Sequence, residues 1–296
     1  MLFCAQGRLL LGHPRRSLKH CHRCYSPSIH MSNTTPENPS AERLLEWEST
    51  LVKELQTLRF PSPVSFIYSP LEYAWPLHEE YVRRYYRPTA RVLFVGMNPG
   101  PFGMVQSGIP FGDVVIVKEW LDIRGDLVFT ALPERVHPKR PILGLHCPRR
   151  EVSGQRFWGW ARQGWHSSDR FFSWAFVYNY CPLAFLSSSG KNISLEQLRE
   201  GNSKTELLRH CNRCLLYLVD DWKPLVIFGL GKFAYQMCDQ VVGHLCPVYM
   251  LPHPSPANPK SGAYWSQWSA VANDIQKADA SLLYTNTTFQ ENKYVQ

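Results

Sequence analysis

Four short apolar runs, Val92–Val95, Ala175–Tyr178, Leu225–Phe228 and Val248–Leu251, punctuate the chain without the polar alternation of a half-exposed strand. Runs of this length and uniformity fit strands buried on both faces, as in a parallel sheet covered by helices. Helical spacing fills the intervals. Leu44, Trp47, Leu51, Leu55 and Leu58 form one such stripe after Ser40, a candidate cap, and the stretch from Pro61 to Pro63 ends it. Ser194 with Gln197 and Ser203 with Glu206 fit capping boxes, and Gly201 divides that region into two helices. The pattern predicts an α/β protein: a three-layer α/β/α sandwich around a central four-stranded parallel sheet, without internal repeats.

Composition sets the limits of this picture. At 296 residues and 44% hydrophobic content the chain can bury a large core. The expected division is a basic leader over 1–38, one domain over 39–282 and a polar tail over 283–296. The formal charge is +8, from 32 Lys+Arg against 24 Asp+Glu. Five of those cations, Arg8, Arg15, Arg16, Lys19 and Arg23, precede the first acidic residue, Glu37, so the body is only mildly basic. That balance suits an acidic partner such as nucleic acid without establishing one. The acid-free leader has the composition of a mitochondrial transit peptide, and equally of a basic tail ahead of a second start at Met31. No segment is long and apolar enough to span a membrane. Nine cysteines without a framework indicate a reducing compartment. Cys21/Cys24 and Cys211/Cys214 have the spacing of metal ligands, but Cys214 has apolar helical neighbours and reads as a small core residue; no metal is expected.

Candidate chemistry sits where apolar runs end. Val92–Val95 runs into Gly96-Met-Asn-Pro-Gly-Pro-Phe-Gly-Met104, whose one polar side chain is Asn98. The last run precedes His253-Pro-Ser-Pro256. Both lie at the carboxyl ends of predicted strands, the edge at which open α/β sheets bind ligands. By residue type alone, Asn98 equally fits a turn residue bonding its own backbone, and His253 a loop histidine capping a carbonyl. The Gly229-Leu230-Gly231-Lys232 turn lacks the third glycine of a dinucleotide fingerprint. Ser189-Gly190-Lys191-Asn192 lacks the flanks of a phosphate loop, so both read as ordinary turns.

These motifs, with Gly108-Ile-Pro-Phe-Gly112, His137-Pro-Lys-Arg-Pro141, Val152-Ser-Gly-Gln-Arg-Phe-Trp-Gly159 and Asn179-Tyr-Cys-Pro-Leu183, occur in one order over roughly Phe60 to Ile275. As a set they resemble the single-strand-selective monofunctional branch of the uracil-DNA glycosylase superfamily. The resemblance implies a base-excision repair hydrolase that takes uracil and oxidised uracils such as 5-hydroxymethyluracil from DNA, leaves an abasic site and needs no cofactor. It implies that Asn98 orients the attacking water and that His253 stabilises the leaving base. Asn179 would read the uracil edge and Phe111 would stack on the flipped base. Met97 and Phe111 would offer backbone amides, while Gly100 and Met104 would shape a pocket beside C5. Lys139, Arg140, Pro254, Ser255 and Pro256 would engage the backbone of single- or double-stranded DNA. A monomer in the nucleus is expected, or in the mitochondrion if the leader targets. The chain departs from the family at Ala257, where an Arg commonly wedges into the duplex. That departure motivates an alternative: a single-strand or damaged-DNA binding protein with the same pocket and little turnover. A nucleotide-binding enzyme using the Gly229 turn is a more remote option. Phe157, Trp158, Trp160 and Trp165 read as the packing of one helix.

Overall fold

The computed structural model describes residues 38–256 and 261–282. The leader, Cys21/Cys24, Ala257 and the polar tail lie outside the described residues. In chain order the elements are α1 (Pro39–Leu55), β1 (Phe66–Tyr68), α2 (Pro70–Tyr73), α3 (Trp75–Tyr85), β2 (Val92–Gly96), α4 (Met104–Ser107), α5 (Val114–Glu119), α6 (Val152–Trp165) and α7 (Ser168–Phe172). They continue with β3 (Ala175–Asn179), β4 (Ala184–Leu186), β5 (Asn192–Ile193), α8 (Asn202–Trp222), β6 (Val226–Leu230), α9 (Lys232–Val242), β7 (Val248–Leu251) and α10 (Ser261–Leu282).

The four apolar runs form one parallel sheet in the order β3-β2-β6-β7. Its third strand is displaced from the sequence expectation. Leu225 is 49% exposed and its N–H bonds the Arg91 carbonyl outside the ladder, so the strand starts at Val226 and runs through Gly229. A Cβ at Gly229 would stand 2.3 Å from the Cα of Tyr235, so this glycine lets α9 lie against the strand and has a packing reason unrelated to nucleotides.

A second, antiparallel sheet in the order β1-β4-β5 is not foreseen by the sequence, because strands of two or three residues are too short to show a period. Two caps also differ. Asn38 rather than Ser40 caps α1, its side chain accepting from Ala41 N–H while its Nδ2 donates to the Tyr86 carbonyl. Gly201, with φ 145°, precedes α8, and Ser203 lies inside that helix with its hydroxyl donating to the Arg59 carbonyl. The Ser194–Gln197 box forms as predicted, though it closes only a single 3₁₀ turn.

Pleating sends β2 side chains to opposite faces. Phe94 stacks on Phe228 and contacts Phe157, Trp160, Phe171 and Trp268, so α6, α7 and α10 cover that face. On the other face Phe176 meets Tyr81, Tyr86 and Trp222 from the α3 and α8 side, and the Tyr178 hydroxyl donates to Cys214 Sγ. Burial pushes the Cys214 thiol up to about 12, so it is protonated and apolar in character at neutral pH. Truncating Phe94 would leave a cavity among five aromatic rings. Phe94→Ala is therefore expected to lower unfolding stability by about 3–5 kcal/mol, read from denaturant midpoints; a loss under about 1 kcal/mol would contradict this packing account.

Candidate active site at the carboxyl edge of the sheet

A cavity of about 240 Å³ opens at the carboxyl ends of β2, β3 and β7. Met97, Asn98, Gly100, Met104, Phe111, Asn179 and His253 all line it, with Ser255 at its rim. Residues from four loops remote in sequence thus share one hollow. A larger space of about 350 Å³ beside α1 and the Ala131–Glu134 segment contains none of the predicted side chains.

Asn98 follows β2, and its Nδ2 donates to the Leu183 carbonyl at 3.2 Å. With one amide hydrogen committed there, the carboxamide is oriented and its oxygen remains an acceptor for a water. Asn179 ends β3 in register with Gly96, buried, its Nδ2 donating to Met104 Sδ at 3.1 Å. A Cβ at Gly96 would fall 2.2 Å from Asn179 Oδ1 and 2.9 Å from the Phe111 ring. Only a residue without a side chain lets the carboxamide and the ring converge over this strand end.

Phe111 has φ 56°, an uncommon conformation for a bulky residue. Its carbonyl accepts from Trp158 Nε1 at 3.1 Å and from Asp113 N–H at 2.7 Å, which holds the turn. A Cβ at Gly154 would meet that same carbonyl at 2.1 Å, so the glycine of α6 permits the contact. One face of the ring stacks on Phe157 at 5.1 Å, and His253 stands 5.9 Å away. The four aromatics of α6 are buried core, as their spacing predicts, but Trp158 also fixes the loop that carries Phe111. The N–H groups of Met97 and Phe111 donate to no protein acceptor among the described residues.

His253 follows β7. Ser255 N–H donates to its Nδ1 at 3.1 Å, so a neutral ring carries its proton on Nε2 and presents a donor there. The ring faces the cavity but is otherwise enclosed, with its Cβ tight against Gly231, and burial lowers its pKa to about 4. The carbonyls on either side are also held: Trp268 Nε1 donates to Pro252 O at 3.2 Å and Arg156 to Pro254 O at 3.2 Å.

The sequence analysis missed Glu151, Ser153, Asn192, Ser194 and Pro101, which complete the lining. Glu151 fills the notch left by two glycines, since a Cβ at Gly100 or Gly103 would lie 2.7 or 2.8 Å from it. Burial raises its carboxyl above the ordinary range, against the backbone N–H groups of Ser153 and Phe102 that favour the charged form. Its place directly before the Val152 motif is the one sequence signal it gives. Asn192 and Ser194 arrive through the unforeseen second sheet.

The residues expected to touch DNA are more scattered. Lys139 is exposed and Arg140 half-buried, on a loop anchored by the Tyr68 hydroxyl, which accepts from His137 N–H and donates to the Arg140 carbonyl. Ser255 and Pro256 reach the surface, whereas Pro254 is buried with its carbonyl engaged by Arg156, which makes it an anchor of the loop. Among the described residues no group of three or more His, Cys, Asp or Glu could hold a metal ion.

Proton occupancy of His253 is directly measurable. The folded ring resists a proton that a free imidazole accepts near 6.5, so its contribution to stability is constant above about pH 6.5 and falls as pH drops toward 4. An NMR titration of the His253 ring should show a midpoint near 4 with the proton on Nε2 at neutral pH. A midpoint between 6 and 7 would contradict the enclosed neutral ring.

The sequence profile described as Uracil DNA glycosylase superfamily matches residues 83–273. The single-strand selective monofunctional uracil-DNA glycosylase of Rattus norvegicus is 44% identical over 228 residues, covering 76% of this chain and 81% of the relative. The enzyme of the same name from Bos taurus is 42% identical over 237 residues, covering 79% and 85%. Among solved structures, SMUG2 of Pedobacter heparinus superposes with a TM-score of 0.51 at 16% identity, over 79% of this chain and 99% of that one, a likeness of fold alone. The ordered motifs, the parallel sheet and the extent of these matches lead to one conclusion: this chain belongs to the uracil-DNA glycosylase superfamily, among its single-strand-selective monofunctional members.

Proposed function

We propose that this chain is a cofactor-independent DNA glycosylase that hydrolyses the N-glycosidic bond of uracil, and of 5-substituted uracils bearing a polar group such as 5-hydroxymethyl, leaving an abasic site. The observation that carries the proposal is the meeting of Asn98, Asn179, Phe111 and His253 around one base-sized cavity. The target nucleotide turns out of the stack and its base enters this hollow. Cleavage proceeds through a sugar with oxocarbenium character, so a positioned water and a stabilised leaving group matter more than a strong base. Asn98, oriented by the Leu183 carbonyl, holds the water through its side-chain oxygen. Neutral His253 donates from Nε2 to uracil O2 as charge accumulates there, and the bond from Ser255 keeps that tautomer. No protein nucleophile is required.

Recognition follows from donors and acceptors. Asn179 accepts from uracil N3–H and donates to O4, its amide pre-set by Met104. Cytosine would turn an amino group toward that amide and leave buried polar groups unpaired, at about 1–3 kcal/mol each. Phe111 stacks on the base, an interaction worth roughly 1–3 kcal/mol. Beside C5, Gly100 backed by Glu151 and Met104 form a wall with a polar component. A hydroxyl can replace an ordered water there, whereas the thymine methyl would displace it without restoring its bonds. Ser255 and Pro256 at the rim meet the phosphate backbone of single- or double-stranded DNA.

The test is release of uracil from a labelled oligonucleotide in EDTA, with alkaline scission of the abasic product. Asn98→Ala and His253→Ala should each lower the single-turnover rate on the order of a hundredfold or more, as the loss of one preorganised donor or orienting group does. Full activity in either variant would refute the assignment. Gly96→Ala should push Asn179 and Phe111 apart and weaken uracil binding at least tenfold with the melting temperature little changed; unchanged KM would show that the convergence at Gly96 is not what selects the base.

A further inference from the structure

Arg149, which the sequence analysis does not single out, shares an aromatic ring with Arg140. The guanidinium carbon of Arg149 lies 4.3 Å from the centroid of Phe102, and that of Arg140 lies 5.1 Å from it. Phe102 directly follows Pro101, a residue of the cavity wall. Two cations held against one ring repel each other, and among the described residues neither forms an ion pair. The neighbouring Arg150 shows the contrast, since it is paired with buried Asp113 at 2.8 Å. Glu151, the carboxylate nearest in the chain, takes the Phe102 backbone N–H rather than either guanidinium. The Nε of Arg140 is enclosed and lacks any acceptor in the protein.

The arrangement is rigid. Buried Gln106 donates to the carbonyls of Pro101 and Pro141 at 3.0 Å each and accepts from Leu143 N–H at 2.8 Å, which ties the Phe102 loop to the segment carrying Arg140. The Tyr68 hydroxyl holds the Arg140 carbonyl at 2.9 Å. A fixed pair of unneutralised guanidiniums on an aromatic platform matches a tetrahedral anion with several oxygens.

We infer that Arg140 and Arg149, stacked on Phe102, form a seat for one phosphodiester of the DNA strand whose base enters the cavity. The inference rests on the glycosylase reading for the identity of the strand, and the seat supplies affinity rather than chemistry. A phosphate there neutralises both cations and sets the strand in register with the cavity mouth.

The test measures binding of an undamaged single-stranded oligonucleotide across a salt series, so it reads the seat whether or not uracil is cleaved. In the doubly substituted Arg140→Ala, Arg149→Ala protein, the slope of log K against log salt should fall by about 1.4, at about 0.7 for each cation removed from a single-stranded complex. Affinity at low salt should fall on the order of tenfold or more, while the single-turnover rate at saturating uracil-bearing DNA stays within about twofold. The Arg140→Lys, Arg149→Lys protein should recover the slope, and Lys53→Ala on exposed α1 should leave it unchanged. An unchanged slope in the alanine protein would overturn the inference, as would a weaker affinity that lysine does not restore or that accompanies a lowered melting temperature. Normal salt dependence with no uracil release by wild type would instead defeat the glycosylase reading and leave the seat standing as a DNA-binding element.

Discussion

The site depends on an absence of volume at Gly96. Where β2 ends, the space a methyl group would take is filled from β3 by the Asn179 carboxamide and from the following loop by the Phe111 ring. Parallel pairing of β2 with β3 brings Gly96 opposite Asn179, so the sheet register itself decides what stands at the cavity floor. The reading edge and the stacking face of the base pocket are thereby set at one point. The left-handed turn at Phe111 is held by Trp158 and by the close approach of Gly154, which passes the rigidity of the aromatic core to the loop.

The same sheet edge governs His253. Its strand pairs in parallel with β6, and the turn after β6 places Gly231 against its Cβ. Enclosure keeps the ring neutral, and the Ser255 N–H selects the tautomer, so the donor is ready without a change of protonation. Arg156 from α6 and Trp268 from α10 grip the carbonyls on either side, which ties the loop to the helices covering the Phe94 face. Preorganisation of this kind costs little at the moment of reaction because the dipoles are already aligned.

Much of this was legible in the chain, and for identifiable reasons. Val92–Val95, Ala175–Tyr178 and Val248–Leu251 are apolar throughout, and each became a buried or largely buried strand because both faces are covered. Asn98 and His253 stand where such runs stop, and the motif order supplied the rest of the lining. What stayed hidden depends on partners distant in sequence. β4 and β5 exist through antiparallel pairing with β1 and with each other, and they bring Asn192 and Ser194 to the cavity. Asn38 replaces Ser40 as a cap because it also reaches the Tyr86 carbonyl. Glu151 and Arg149 gain their settings from Gly100, Gly103 and Phe102, neighbours that no local pattern announces.

The central claim is that water, held by a carboxamide, displaces a base whose charge a neutral imidazole stabilises, with no covalent intermediate. Mass spectrometry of the products from a uracil-bearing oligonucleotide, incubated in EDTA with borohydride present, tests it most directly. The account predicts one free uracil per abasic strand, intact phosphodiesters and no protein–DNA adduct. A trapped adduct, or DNA that is bound while free uracil never rises above the Asn98→Ala background, would contradict it.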